Sequence, residues 1–415
     1  MKNSTAVVIG AGVIGSAVAH ELQKRLGNVT LVERDEPGCG ASKGNLASIA
    51  VTEFTPISRP STWLSIPGWL LNPKSPVKIK PSHVPRLIPW IWQFILSGRP
   101  SKFRYLEANG AALCRRALHD TKKLMGEIGL ANDISDAGCM AIYATEREFH
   151  SDRSRLEAIK SYGFPIDIID GRELHDLEPE IVPGIFKAAR LPENKTVRDP
   201  YLYVKKLAET FTKNGGRILK DAVADLDMRD GGATVRLQSG QALDADIAVL
   251  CAGAHSGKLA KKLGEPIPLE TERGYHTQIM APGIDLGHSL IWPSRAFMVS
   301  PTAGGIRVGG TVEMAGLNAA PDYGRARITL RHARKLLPRL RSENSTEWMG
   351  HRPALPDTVP LISASSRVPG VFYATGHGHL GLTQAATTAL LICDLALGRR
   401  PDIDMSAFSI DRFSW

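Results

Sequence analysis

Thr5-Ala6-Val7-Val8-Ile9-Gly10-Ala11-Gly12-Val13-Ile14-Gly15 sets a short β-branched, apolar run against three glycines in GxGxxG spacing, and a helical pattern continues from it through Leu26. The order is strand, tight turn, helix. Asn28 to Val32 then make a second strand that ends on Glu33, with Arg34 next to it. Each position has a physical reason: Gly10 permits the turn, Gly12 lets the backbone approach a pyrophosphate, and Gly15 lets helix and strand pack closely. The start of the helix, at Val13 and Ile14, turns free N–H groups and the positive end of its dipole toward phosphates. Glu33 lies where an acidic residue accepts ribose hydroxyls, and a carboxylate there disfavours a 2′-phosphate. The stretch predicts an α/β, Rossmann-like dinucleotide-binding unit.

Outward from this stretch, 415 residues are enough for two domains and a large core. With 43% hydrophobic and 22% charged residues the composition is that of an ordinary globular chain. Cys39, Cys114, Cys139, Cys251 and Cys393 are odd in number, scattered and never in a CxxC pair, so neither a disulfide framework nor a metal site is expected. The glycine-rich motif follows Met-Lys-Asn-Ser-Thr at once, which leaves no room for a cleavable signal and reads as cytoplasmic. The longest near-apolar run, Ile88 to Leu96, is interrupted by Pro89 and Gln93 and is far shorter than the roughly 20 residues a membrane span needs. A net charge of +9 suits nucleic acid, an anionic membrane or an acidic substrate. Because the basic residues are spread along the chain and no nucleic-acid module shows itself, nucleic acid is not expected as a partner.

NAD and FAD share the N-terminal fingerprint, so the choice between them falls to other segments. Val371 to Ala374 make a short strand that runs into Thr375-Gly376-His377-Gly378-His379-Leu380-Gly381-Leu382-Thr383, followed by a helical stretch from Gln384 to Leu397. A second glycine-rich strand-to-helix junction, far from the first, brings backbone N–H groups to the other end of a long cofactor. A flavin ring needs such donors at N1 and the C2 carbonyl, where negative charge gathers on reduction. Between the two junctions, Ala245-Asp246-Ile247-Ala248-Val249-Leu250-Cys251-Ala252-Gly253-Ala254 is a buried-strand pattern ending in small residues. It either passes close to the cofactor at Ala252 and Gly253 or is a core strand with a glycine turn.

Together these segments resemble the D-amino acid oxidase-like FAD-dependent oxidoreductases, most closely the bacterial D-amino acid dehydrogenase branch, over essentially the whole chain. Matching elements are Val8 to Gly15, the flavin-contacting loop Ala41-Ser42-Lys43-Gly44-Asn45-Leu46-Ala47, Arg273-Gly274-Tyr275-His276, Arg307 to Glu313, Gly350-His351-Arg352-Pro353 and Gly376 to Gly381. The resemblance implies an FAD-binding domain assembled from residues 1–55, 195–262 and 345–415. Interleaved with it, residues 56–194 and 263–344 form a substrate-binding domain of helices and an antiparallel sheet, giving a mixed α/β and α+β fold. Met140 to Tyr143, Gly274 to Met280 and Ile306 to Thr311 are expected in that sheet. Val223 presents its backbone to the adenine, and Ser42, Lys43, Asn45, Leu46, Gly378, His379, Leu380, Gly381 and Thr383 face the cofactor, although Lys43 reads equally well as a solvent residue.

By the same resemblance Arg352 holds a substrate carboxylate, a role that suits its bidentate guanidinium. Related oxidases place a tyrosine where this chain has Phe297 and an arginine where it has His379, so Tyr275 or His276 is expected to supply the missing polar contact. His377 and His379 more naturally donate hydrogen bonds or line a pocket than bind metal. The implied chemistry is oxidation of a small D-amino acid, D-proline or its hydroxylated form among them, with electrons passed to a quinone or partner protein. A sarcosine- or glycine-type oxidase, a flavin-binding subunit of a larger dehydrogenase, and a nicotinamide enzyme are the competing readings. Trp63, Trp69, Trp90 and Trp92 share a segment with Lys74, Lys78, Lys80, Arg86 and Arg99. Either this surface rests peripherally on a membrane, or its rings form the substrate domain's own core, the reading preferred because aromatics dominate cores.

Overall fold

The computed structural model describes residues 4–64, 66–71 and 75–413, without the side chains of residues 60, 61 and 69–71. Its cofactor-side sheet has six strands in the order Arg217–Lys220, Val29–Glu33, Ala6–Ile9, Ile247–Leu250, Val371–Thr375 and Leu361–Ala364. Four successive pairings are parallel, and Leu361–Ala364 runs antiparallel at the edge. Strands covered on both faces need apolar side chains throughout, which is why Ala6-Val7-Val8-Ile9 and Ile247-Ala248-Val249-Leu250 carry no polar residue. Successive residues point to opposite faces. Ala6 and Val8 accordingly join one core with the helices Val13–Leu26, Pro200–Lys213 and Gly381–Ala396. Val7 and Ile9 join another with the three-stranded antiparallel sheet Val223–Arg229, Gly232–Leu237 and Ala242–Ala245.

A second, nine-stranded sheet holds the remaining long strands. Its order is Ser345–Ala354, Glu270–Ile279, Gly305–Met314, Phe297–Thr302, Ser289–Trp292, Cys139–Tyr143, Lys187–Leu191 and Asp167–Asp170, with Val77–Ile79 beside the end of Gly305–Met314. The three segments expected as antiparallel strands all lie in it. Ser345–Ala354, which opens the last of the segments expected to bind the cofactor, pairs with Glu270–Ile279 over all ten positions. Its membership is set by a partner some seventy residues earlier, which the local glycine and arginine signature does not reveal. Its last residue, Ala354, still reaches the first unit through a bridge to His377, so this strand connects the two sheets directly at the site.

The tryptophan-rich segment divides. Trp90 is half-buried and stacks on Phe94, and half-buried Trp63 donates to Ser58. Trp92 is 61% exposed beside Ile88 at 59%, one turn earlier on the helix Val84–Ser97. The Trp69 side chain and Lys74 lie outside the described residues. Among the described residues no helix is long and apolar enough to cross a membrane.

Candidate functional site

A large cavity of about 1290 Å³ opens where the carboxyl ends of the parallel strands meet the nine-stranded sheet. At one end lies the N-terminal turn. Gly10 adopts φ +98°, open to glycine without strain, and a Cβ on Gly15 would fall 1.8 Å from the Gly10 carbonyl oxygen. Strand and helix therefore touch backbone to backbone there. Gly10, Gly12, Val13 and Ile14 line the cavity, whereas Gly15 lies behind the turn and acts through packing. Glu33 also lines it, its carboxylate accepting the Ala11 N–H at 2.6 Å and the Asp35 N–H at 3.1 Å; Arg34 and Val223 stand nearby in the same wall.

The middle of the cavity is walled by Ser42, Asn45 and Leu46 on one side and by Ala252 and Gly253 on another. Ser42 Oγ accepts the Val13 N–H at 2.9 Å, fastening the loop to the start of the helix. Asn45 folds the loop on itself, its amide donating to the Ser42 carbonyl and accepting the Ala47 N–H, and Ala47 takes φ +61°. The nine-stranded sheet grips the same loop: Ser300 donates to the Leu46 carbonyl, Arg307 to the Asn45 carbonyl, and His276 to the Gly44 carbonyl at 2.8 Å. Trp348 lies on Gly44, where a Cβ would meet its ring at 2.3 Å, and stacks on His276.

From the C-terminal junction Gly378, His379 and Gly381 line the cavity, and the helix Gly381–Ala396 begins at its wall. Three expected contacts are absent from the lining. Lys43 is exposed, its ammonium 5.2 Å from the centre of the Tyr201 ring. Leu380 is buried and donates its N–H to the His377 carbonyl, and Thr383 accepts the Ala50 N–H at 2.9 Å. Leu380 and Thr383 turn away because the helix begins at Gly381, so its register directs them into packing, whereas Lys43 points to the surface beside Tyr201.

At the far end Arg352 faces the cavity from the strand Ser345–Ala354. Its guanidinium lies over Gly274, where a Cβ would fall 2.3 Å from Nη2. Burial lowers its proton affinity and Glu272 across the strand pair opposes that. Beside it, Val77, Ile79, Val312 and Met314 floor a chamber covered by Trp90, Ile91 and Phe94 of the helix Val84–Ser97. His379 lines the same cavity, its basicity reduced by desolvation and then by Arg352.

Tyr275 and His276, one of which is expected to contact the substrate, both line the cavity. The Tyr275 hydroxyl donates to Glu313 at 2.7 Å and accepts the Asp322 N–H at 3.0 Å, and burial with the Glu313 bond pushes it up to about 12. His276 donates through Nδ1 to the Gly44 carbonyl, so both residues also brace the wall they line. The residues sequence reasoning missed are Glu272, Trp348 and the apolar chamber. Glu272 was discoverable, since alternation back from Gly274 puts it on the same face; the chamber was not, because its walls come from three separate segments.

Buried histidines make the site acid-sensitive. Burial lowers His276 and His377 to about 3 each, and both are 4% exposed. Their folded values lie below the unfolded value of about 6.5, so as pH falls the unfolded chain takes up protons first. Their contribution is intact above about pH 6.5 and is lost between there and about pH 3, at up to about 1.4 kcal/mol per pH unit for each histidine. Urea unfolding at about pH 7 and about pH 5 should show a markedly smaller stability loss for His377→Gln than for the wild type. Equal losses would mean that His377 is not held neutral.

The comparisons agree with this geometry. A D-amino-acid oxidase of Bradyrhizobium diazoefficiens is 33% identical over 417 residues, covering 98% of both chains. A D-amino acid dehydrogenase of the same bacterium is 27% identical over 422 residues, again covering 98% of both. Glycine oxidase from Geobacillus kaustophilus superposes over 100% of both chains with a TM-score of 0.75 at 19% identity, a likeness of fold alone. The family model described as FAD dependent oxidoreductase matches residues 5–395. With glycine turns at two strand-to-helix junctions and a carboxylate at the end of the second strand, all on one cavity, the residues present suit FAD, and the chain belongs to the FAD-dependent oxidoreductase family.

Proposed function

We propose that this enzyme oxidises the carbon–nitrogen bond of a D-amino acid with an apolar side chain, cyclic D-proline and its hydroxylated form included, and passes the electrons to a quinone or another non-oxygen acceptor. The observation that carries the reading is Arg352: among the described residues its guanidinium has no protein hydrogen-bond acceptor, and it faces the cavity beside an apolar chamber. A planar fork in an enclosed wall is complementary to a carboxylate. The names of the curated relatives, D-amino-acid oxidase and D-amino acid dehydrogenase, point to the same substrate class.

FAD, when bound, supplies the two-electron acceptor for the hydride that leaves Cα. The protein's own work is positioning. The Gly10 turn, Glu33 and the Gly253 and Gly378 backbones hold the cofactor, while His276 and Trp348 keep the loop at Gly44 in place. Arg352 orients the substrate by its carboxylate, and Val312, Met314, Ile79 and Trp90 receive the side chain and exclude water. Support for a non-oxygen acceptor comes from the exposed pair Ile88 and Trp92, with Arg86 exposed on the same helix, a face suited to an acceptor at an anionic membrane surface.

The test is dye reduction by the purified protein with D- and L-leucine, D- and L-proline and glycine, with peroxide followed in parallel. D-enantiomers should exceed their L-counterparts and glycine at least about tenfold in kcat/KM, since each 1.4 kcal/mol of misfit is a factor of ten. Peroxide should form more slowly than dye is reduced. Preference for L-amino acids or glycine would overturn the substrate assignment, and stoichiometric peroxide in air would overturn the assignment of the acceptor.

A further inference from the structure

Glu272 and Arg352 are direct partners in the antiparallel register of the strands Glu270–Ile279 and Ser345–Ala354. Both line the cavity. Gly274, next along the same face, has no side chain, and the Arg352 guanidinium occupies the space above it. Among the described residues neither the Glu272 carboxyl nor the Arg352 guanidinium has a hydrogen-bond partner, and the two are not within ion-pair distance of each other.

Their neighbours differ. Arg273 donates to the carbonyls of Gly316, Ala319 and Ala320, Tyr275 donates to Glu313, and Glu270 is paired with His83 at 2.9 Å. The groups around Glu272 are Arg352 on one neighbouring strand, apolar Met314 on the other, and Glu270 two positions back. Burial raises the Glu272 carboxyl, with Glu270 adding to the rise and Arg352 opposing it. A carboxyl and a guanidinium in one cavity wall, neighbours across the strands yet unpaired, leave two groups unsatisfied. A ligand bearing a carboxylate and an ammonium on one carbon satisfies both at once.

We propose that Glu272 holds the α-ammonium group of the substrate and takes its proton, while Arg352 holds the carboxylate. This rests on the D-amino acid reading above and deepens it. In the transfer one N–H bond breaks and one Oε–H bond forms. The electron pair stays on nitrogen, so the amine becomes neutral, as loss of hydride from Cα requires, and the proton later leaves Glu272 for water. Ionisation of a buried carboxyl is unfavourable in the empty pocket and is restored by the incoming cation, which gives Glu272 reason to discriminate an amine from a neutral group.

The experiment compares wild type, Glu272→Gln and Glu272→Asp as FAD-loaded proteins. D-leucine oxidation is followed by dye reduction from about pH 6 to about pH 10, and binding of the corresponding D-α-hydroxy acid is followed by the change it causes in the flavin spectrum. Glu272→Gln should lose at least about a hundredfold in kcat/KM for D-leucine near neutral pH, the usual scale for a positioned base. Its kcat/KM should then climb about tenfold per pH unit toward the pKa of the free amine, because only neutral substrate is productive. Hydroxy acid binding should change less than about threefold, since that ligand brings no proton to transfer. Glu272→Asp should keep the wild-type shape of the pH profile at reduced rate. The proposal is overturned if Glu272→Gln retains the wild-type rate and profile, or if amino acid and hydroxy acid lose affinity equally, which marks a structural role. If the wild type oxidises no D-amino acid, the underlying reading falls instead.

Discussion

Arg352→Lys is expected to leave the protein folded and yellow while lowering kcat/KM for a D-amino acid at least about thirtyfold, within the roughly 2 to 5 kcal/mol that loss of a desolvated charge-assisted pair costs. Lysine keeps the positive charge but replaces a rigid fork with a single flexible point. The local geometry sharpens the expectation: the guanidinium lies flat over Gly274, where no side chain supports it from below. A lysine ammonium there cannot make the bidentate contact. Amino acid amides, which lack the carboxylate charge, should be poor substrates of the wild type and should hardly distinguish it from the variant. Near-normal kcat/KM in Arg352→Lys, or equal damage to amides and acids, would remove Arg352 from the carboxylate site, and His379 in the same cavity would be tested next.

Gly15→Ala should abolish retention of FAD. The added Cβ would stand 1.8 Å from the Gly10 carbonyl oxygen, and the obstacle is backbone, which cannot rotate aside as a side chain would. Relieving the clash means moving the helix Val13–Leu26 off the strand Ala6–Ile9, at a cost of about 3 kcal/mol or more. That corresponds to at least about a hundredfold in flavin affinity, together with a lowered melting temperature. Gly12→Ala is the informative contrast. There the nearest atom to an added Cβ is Ser42 Oγ at 3.4 Å, an ordinary contact, so the apoprotein should melt near the wild-type temperature. Flavin should still be lost, because the methyl stands in the cavity wall where the pyrophosphate must approach. Normal flavin content in Gly15→Ala would show that strand and helix can separate without harm to the site.

The part of this fold visible in the linear chain is the part whose signal is local. The GxGxxG turn, the second strand ending on Glu33 and the late glycine-rich junction each declare themselves within about 30 residues, because turn sterics and helix dipoles act at that range. Where the signal was local but the direction of a side chain was not, expectation and structure part company. Lys43, on the expected loop, and Thr383, in the first turn of the helix Gly381–Ala396, both point away from the cavity.

What the sequence by itself determined is the cofactor class, and its resemblance to the family singled out Arg352. Only the tertiary structure decided what stands around that arginine. The strand Ser345–Ala354 joins the nine-stranded sheet because its ten partners lie on Glu270–Ile279, and the same pairing sets Glu272 opposite Arg352. Val77–Ile79 and the helix Val84–Ser97 reach the chamber only because a short parallel pairing with Val312–Met314 carries them there. Such pairings join residues tens to hundreds of positions apart, and their energy comes from burial and hydrogen bonding that exist only once the chain has closed on itself, so no window of sequence contains them.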